Sequence, residues 1–282
     1  MISSVGSCVS AQRNLAHKHL GSCFGSIHLF RLRPLRPLRE ASVFVCFVVL
    51  LCKSLFSVGV LAVSLSHMKV AILGSGEVGQ VLGAGFLKHG YQVMMGTRDP
   101  KKEEVTNWIK ETPGATAGTF AEAAAFGELI VLAVLGRVVE EVIRLAGPAN
   151  LKGKTLIDAT NPIKDAPPVD GVLLFTTGPN ESAAEKLQAL IPETHVVKAF
   201  NSVGSGQMIN PHYEQGVPTM FFCGNDEGAK KVVADVIQQF GWEPFDCGKI
   251  ISARALEPLC VLWCLPGFRQ NLWTHAFKVL TH

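Results

Sequence analysis

The 282-residue chain carries 26 Lys and Arg against 23 Asp and Glu, a formal net charge of +3. The charge is unevenly spread: residues 1–67 hold seven basic residues and the single acid Glu40, which leaves 19 basic and 22 acidic residues in 68–282. A slightly acidic body with no basic face argues against nucleic acid as a partner.

The leader, residues 1–67, comes first in chain order. "RLRPLRPLR" (31–39) precedes a run from Ala41 to Leu65 that is apolar except for Lys53 and a few serines. Such a run is long enough to cross a bilayer core, although a central Lys costs about 2.5–3.5 kcal/mol on insertion. Three readings stand open: an anchor that associates with a membrane through 41–65, a cleaved transit peptide for a mitochondrion or plastid, and a dispensable extension of a cytoplasmic protein. Secretion is not expected. Met68 lies directly before the first strand, where the working enzyme could begin.

The body opens with "KVAIL" (69–73), a short apolar run that reads as a buried parallel strand. It leads into Gly74-Ser75-Gly76-Glu77-Val78-Gly79. Apolar residues then recur at helical spacing through Val78, Val81, Leu82, Phe86 and Leu87, and Gly90 ends the helix. A GxGxxG between a strand and a helix is a dinucleotide cradle. Gly74 permits the tight turn, Gly76 lets backbone approach a pyrophosphate, and Gly79 lets the helix pack close to the strand.

The second strand, "YQVMMG" (91–96), ends in Gly96 where an enzyme for NAD would be expected to carry Asp or Glu. Thr97, Arg98 and Lys102 follow, with Lys101 beside them. A hydroxyl, a guanidinium and an ammonium suit a 2′-phosphate, so NADP(H) is the expected cofactor. Asp99, next to Pro100, is expected in the turn.

Downstream the alternation continues. Thr119 and Glu122 form a capping box that opens an Ala-rich helix. "LIVLAVL" (129–135) reads as a strand, "RVVEEVIRLAG" as a helix closed by Gly147, and "KTLIDATNP" (154–162) as a fifth strand. "HVVKAFNSVG" (195–204) and "TMFFCGND" (219–226) read as further strands. A helix bears Val232, Val233, Val236, Ile237 and Phe240, and a last apolar stripe bears Leu256, Leu259, Cys260 and Trp263.

Repeated β–α–β units predict an α/β fold, a doubly wound parallel Rossmann sheet with a small C-terminal helical extension. The expected organisation is one domain over 68–282, with 68–165 the dinucleotide-binding half and 166–282 the remaining sheet and an acceptor-side lobe. Ligands of such sheets sit beyond the carboxyl ends of the strands, which places Val134, Leu135 and Asn161 towards the cofactor, while Asn161 equally suits a turn before Pro162.

The body offers no GxSxG, no HExxH and no informative carboxylate pair. Its cysteines, Cys223, Cys247, Cys260 and Cys264, have apolar neighbours and no metal-ligand spacing, so a reduced compartment and no metal are expected. Asp158, within "LIDAT", reads as a structural hydrogen-bond acceptor, and His195 and His275 as structural or exposed. Hydride transfer fits this inventory, because it needs proximity and exclusion of water more than a proton shuttle.

Taken together, "MKVAILGSGEVGQVLGAGFLKHGYQVMMGTRDP", "DATNP", "VVKAFNSVG" and "ARALEPLCVLW" resemble the NADP oxidoreductases that act on the 8-hydroxy-5-deazaflavin coenzyme. The resemblance covers Met68 to the C-terminus. It implies that Ser75 to Val78 meet the pyrophosphate, that Thr97, Arg98 and Lys102 clamp the 2′-phosphate, and that Val134 and Leu135 lie near the nicotinamide. It also implies a homodimer. Leu135-Gly136-Arg137 departs from relatives that have proline or an aromatic there, so Arg137 bears on the acceptor pocket. Membrane ferric reductases carry a related nicotinamide domain beside a six-helix haem-binding part, for which this sequence shows no counterpart.

The expected function is an NADPH-dependent oxidoreductase that passes hydride to a small planar acceptor, a deazaflavin, flavin or quinone-like molecule, with no side chain required as an acid or base. The alternatives are a non-catalytic NADP-binding redox sensor or scaffold, and a small imine or carbonyl reductase. The last would need a proton donor among Asn161, Asn201, Arg254 and Glu257, of which Asn201, Arg254 and Glu257 are the acceptor-side candidates.

Overall fold

The computed structural model describes residues 68–281. The expectations for the leader therefore lie outside the described residues. The body forms β1 (Lys69–Leu73), α1 (Glu77–Lys88), β2 (Gln92–Thr97), α2 (Glu103–Glu111), β3 (Ala115–Thr119), α3 (Phe120–Phe126) and β4 (Leu129–Leu132). It continues with α4 (Val139–Ala146), the single turn α5 (Pro148–Leu151), β5 (Thr155–Asp158), α6 (Ala183–Leu190) and β6 (His195–Lys198). β7 (Thr219–Gly224), α7 (Glu227–Gln239), β8 (Glu243–Asp246) and α8 (Ala253–Gln270) complete it.

All eight strands join one sheet in the order β3-β2-β1-β4-β5-β6-β7-β8. The sheet is mostly parallel and helices cover both faces, which is why its central strands are apolar at nearly every position. Alternation along β1 divides the core: Val70 and Ile72 pack with Leu82, Phe86 and Trp108, while Ala71 and Leu73 pack with Phe120, Ile143 and Leu156. The order reverses between β1 and β4, where β1 pairs with β2 on one side and with β4 on the other. Ligand grooves open at such a reversal.

The sheet departs from strict parallelism at β7, which runs antiparallel to β6 and is paired in parallel by β8. The cause lies in the connection. Residues 199–218 contain only the short 3-10 turn Ser205–Gln207, so no crossover helix returns the chain to the other end of the sheet.

Several strands stop earlier than hydrophobicity suggests. β5 ends at Asp158, whose carboxylate accepts hydrogen bonds from the Thr160 N–H at 2.9 Å and the Thr160 hydroxyl at 2.7 Å, closing a local turn. β6 ends before Phe200, which has a φ of 60°. The capping box at Thr119 and Glu122 forms as expected. Five elements go beyond the sequence reading: α2, β3, β8, the single turn α5 and α6. The last carried a signal, because Ser182 caps it by accepting from the Glu185 N–H three residues on. The tail that holds His275 is not helical; it runs beside β7, with the Thr219 N–H bonded to the Phe277 carbonyl at 2.9 Å.

Candidate functional site

The cradle is built almost entirely from backbone. Gly74 has a φ of +134°, and a Cβ on it would lie 2.2 Å from the carbonyl oxygen of Ala133. Its N–H binds the Gly96 carbonyl at 3.0 Å, which ties the turn to the end of β2. A Cβ on Gly79 would lie 2.1 Å from the Gly74 oxygen. These two positions exclude any side chain and bring α1 directly over β1. Gly76 differs, since a Cβ there would meet nothing within 4 Å. It is the N-cap of α1 and supplies no side-chain cap, so the first N–H groups of the helix face open space without an intrahelical partner. Orphaned donors at a positive helix end, bare of side chains, fit a pyrophosphate.

Beside the cradle, alternation along β2 decides which residues can reach a ligand. A side chain at Gly96 would point into the packing under α3, with Ala123 Cβ and Leu73 Cδ2 each 3.0 Å from its Cβ. Thr97 faces the other way. It is buried, and its hydroxyl lies 3.4 Å from that of Ser75, joining clamp to cradle. Arg98 is exposed and has no ion-pair partner among the described residues. Lys102 is paired with Glu104 at 2.6 Å. Asp99 belongs to the turn, where its carboxylate accepts from the Lys101 N–H at 2.9 Å.

At the carboxyl ends of β4 and β5 the two backbones touch: a Cβ on Gly136 would lie 2.2 Å from the carbonyl oxygen of Asn161. Val134 is half-buried and Leu135 is 51% exposed, offering an apolar surface beside the cradle. Arg137 reaches Asp165 at 3.6 Å across an exposed pair. Asn161 and Asn201 are brought together. The Asn161 amide donates to the Asn201 carbonyl at 2.9 Å, and the Asn201 amide donates to Asn161 Oδ1 at 3.2 Å and to the Leu256 carbonyl at 2.8 Å.

Arg254 and Glu257 are committed elsewhere. Arg254 makes a two-pronged pair with Glu185, at 2.9 and 2.8 Å, and that pairing holds the Glu185 carboxyl below its ordinary range. Glu257 is buried, and its carboxylate accepts from the N–H groups of Ala183 and Ala184, each at 3.0 Å, at the start of α6. Both residues line a cleft of about 120 Å³ with Phe175, Thr177, Pro179 and Pro258, and none of the cradle residues takes part in it.

Lys198 escaped the sequence reading. It is fully buried in β6 and donates to Asp158 Oδ2 at 2.9 Å and to the Thr160 carbonyl, with Glu257 Oε1 3.6 Å away. The signal was a lysine inside the apolar "HVVKAF", which demands a buried partner. Asp158 is its structural acceptor. Of the cysteines, Cys223 is fully buried and burial pushes its thiol up to about 12.

A profile of the family described as NADP oxidoreductase, coenzyme F420-dependent, matches residues 69–162. The F420-dependent NADP reductase of Methanocaldococcus jannaschii is 30% identical over 207 residues, which cover 69% of this chain and 90% of that protein. The metalloreductase STEAP3 of Rattus norvegicus is 32% identical over 203 residues, 70% of this chain, but the chain spans only 38% of its length. The crystal structure of an F420-dependent NADP-reductase candidate from Arthrobacter sp. FB24 superposes with a TM-score of 0.71 at 30% identity, covering 76% of this chain and all of that one. With 90% of the Methanocaldococcus jannaschii reductase matched at 30% identity, the chain belongs to the family of coenzyme F420-dependent NADP oxidoreductases.

Proposed function

We propose that this protein is an NADPH-dependent oxidoreductase that passes hydride between NADP(H) and a small planar acceptor of deazaflavin, flavin or quinone-like character. One observation carries the reading: the uncapped mouth of α1 is joined, through Ser75 and Thr97, to an exposed Arg98 with no ion-pair partner among the described residues.

In this reading the N–H groups of Glu77 and Val78 hold the pyrophosphate, and Thr97 and Arg98 receive the 2′-phosphate. Lys102, drawn towards Glu104, adds charge near the clamp rather than a direct contact. Bound NADPH supplies a hydride equivalent at its nicotinamide ring. Val134 and Leu135 then act as an apolar wall that excludes water from that end. Asn161, held by Asn201, orients the polar edge of the ring system through its remaining hydrogen-bonding capacity.

No proton shuttle is required, which favours a planar conjugated acceptor over an imine or carbonyl. The arginine and carboxylate that a carbonyl reductase would need are engaged with Glu185 and with α6. The likeness to a protein named as a metalloreductase adds metal chelates, the ferric ones included, to the acceptor panel.

The test is steady-state NADPH oxidation by the purified full chain with deazaflavin, flavin, quinone, ferric chelate and imine acceptors. Turnover with one of the planar acceptors supports the reading. Tight NADPH binding without turnover on any acceptor contradicts it and favours a sensor.

A further inference from the structure

The segment that joins β6 to β7 takes a strained course. Phe200, with its φ of 60°, occupies the left-handed region, which a bulky residue adopts only where its surroundings over-determine it. Its ring packs against Phe240 with centroids 5.8 Å apart, and the neighbouring Asn201 is tied to Asn161 and to the Leu256 carbonyl. The turn sends the following residues towards the mouth of α1. A Cβ on Gly204 would stand 2.6 Å from the Trp263 ring, so only glycine lets the segment pass. Ser205, next in line, donates its hydroxyl to Glu77 Oε1 at 2.6 Å.

Glu77 is the first residue of α1, in the helix turn that would receive the pyrophosphate. An acid there suits the positive helix end while the site is free, and opposes a second anion once one arrives. Nothing in the phosphate chemistry asks for this carboxylate. Its hydrogen bond to Ser205 gives it a defined place against the β6–β7 segment.

We propose that Ser205 is a positioning residue for nucleotide binding, holding the Glu77 carboxylate against the β6–β7 segment and away from the incoming pyrophosphate. The inference rests on the NADP(H) reading above. The strained corner at Phe200 is then the device that delivers a hydroxyl from the second half of the sheet to the cradle of the first.

Calorimetric titration of NADPH into the full chain tests it. Ser205→Ala is expected to weaken binding about threefold to tenfold, as a released like charge would. Glu77→Gln is expected to tighten binding about twofold to threefold by removing that charge. In the Glu77→Gln background, Ser205→Ala is expected to cost less than about twofold, so the two sites are coupled. The Ser205→Ala penalty should also shrink between about 0.1 M and 1 M salt, where the screening length falls from about 10 to 3 Å.

A penalty of equal size in both backgrounds overturns the proposal and leaves Ser205 as a mere support of its segment. Weaker binding by Glu77→Gln also overturns it, because the carboxylate would then be a ligand of the nucleotide. Unchanged affinity in Ser205→Ala does the same. A wild-type chain that gives no heat with NADPH while its circular dichroism shows it folded contradicts the cofactor reading itself, and this role falls with it.

Discussion

The two sides of the groove are made of different material. On the side proposed to take the nucleotide, β1, the Gly-rich turn and the end of β2 present backbone, and Thr97 and Arg98, the residues proposed to set cofactor specificity, lie within 25 residues of Gly74. On the other side, the ends of β5 and β6 are fixed by buried side chains from distant stretches. Asp158, Lys198 and Glu257 meet there, with Asn161 and Asn201 clasped beside them. One side is encoded locally and excludes a Cβ at Gly74 and Gly79. The other is encoded by long-range charge and tolerates no missing partner.

The sharpest way to break this contrast is at Lys198. Lys198→Met leaves two buried carboxylates facing each other without their cation, and the expected loss is about 3–5 kcal/mol in urea unfolding. A loss below about 1 kcal/mol would mean that the charges are dispensable and the contrast is wrong. On the nucleotide side, Gly79→Ala forces a Cβ into the Gly74 carbonyl. It should cost about 2–3 kcal/mol and abolish NADPH binding as read by fluorescence titration, since α1 must retreat from β1.

A smaller effect tests how α8 and α6 depend on each other. Ser182→Ala removes the α6 cap next to the Glu257 carboxylate and should lower stability by about 1–2 kcal/mol in thermal unfolding, with NADPH affinity unaltered. The smallest effect concerns pH. Burial, aided by Lys88, lowers the pKa of His89, at the end of α1, below its ordinary value. Its folded pKa is therefore below its unfolded one, and its contribution is complete above about pH 6.5 and lost as pH falls below that. The urea midpoint of His89→Gln should fall less than that of the wild type between about pH 7 and pH 5.

The same contrast explains what the sequence disclosed. The Gly-rich turn, the basic stretch after β2 and the capping box at Thr119 are short-range patterns whose spacing is set by a single turn or helix, so they can be read directly. The rule that ligands sit beyond strand ends singles out Asn161, but nothing local marks Asn201, one polar residue among several, as its hydrogen-bond partner. Lys198 stood out in an apolar strand, yet nothing local names Asp158 and Glu257, 40 and 59 positions away, as its partners. The antiparallel turn of β7 was hidden for a similar reason. It depends on residues 199–218 failing to form a helix, and on a positive φ at Phe200 that no propensity favours.

The role of Arg98 is tested most directly by titrating the full-length chain with NADPH and NADH in parallel. The account predicts that NADPH binds at least about tenfold more tightly, the worth of one charge-assisted contact to the 2′-phosphate. Arg98→Glu should erase that preference while the affinity for NADH stays the same. Equal affinity of the wild type for both nucleotides, or an equal loss of both in Arg98→Glu, would contradict it.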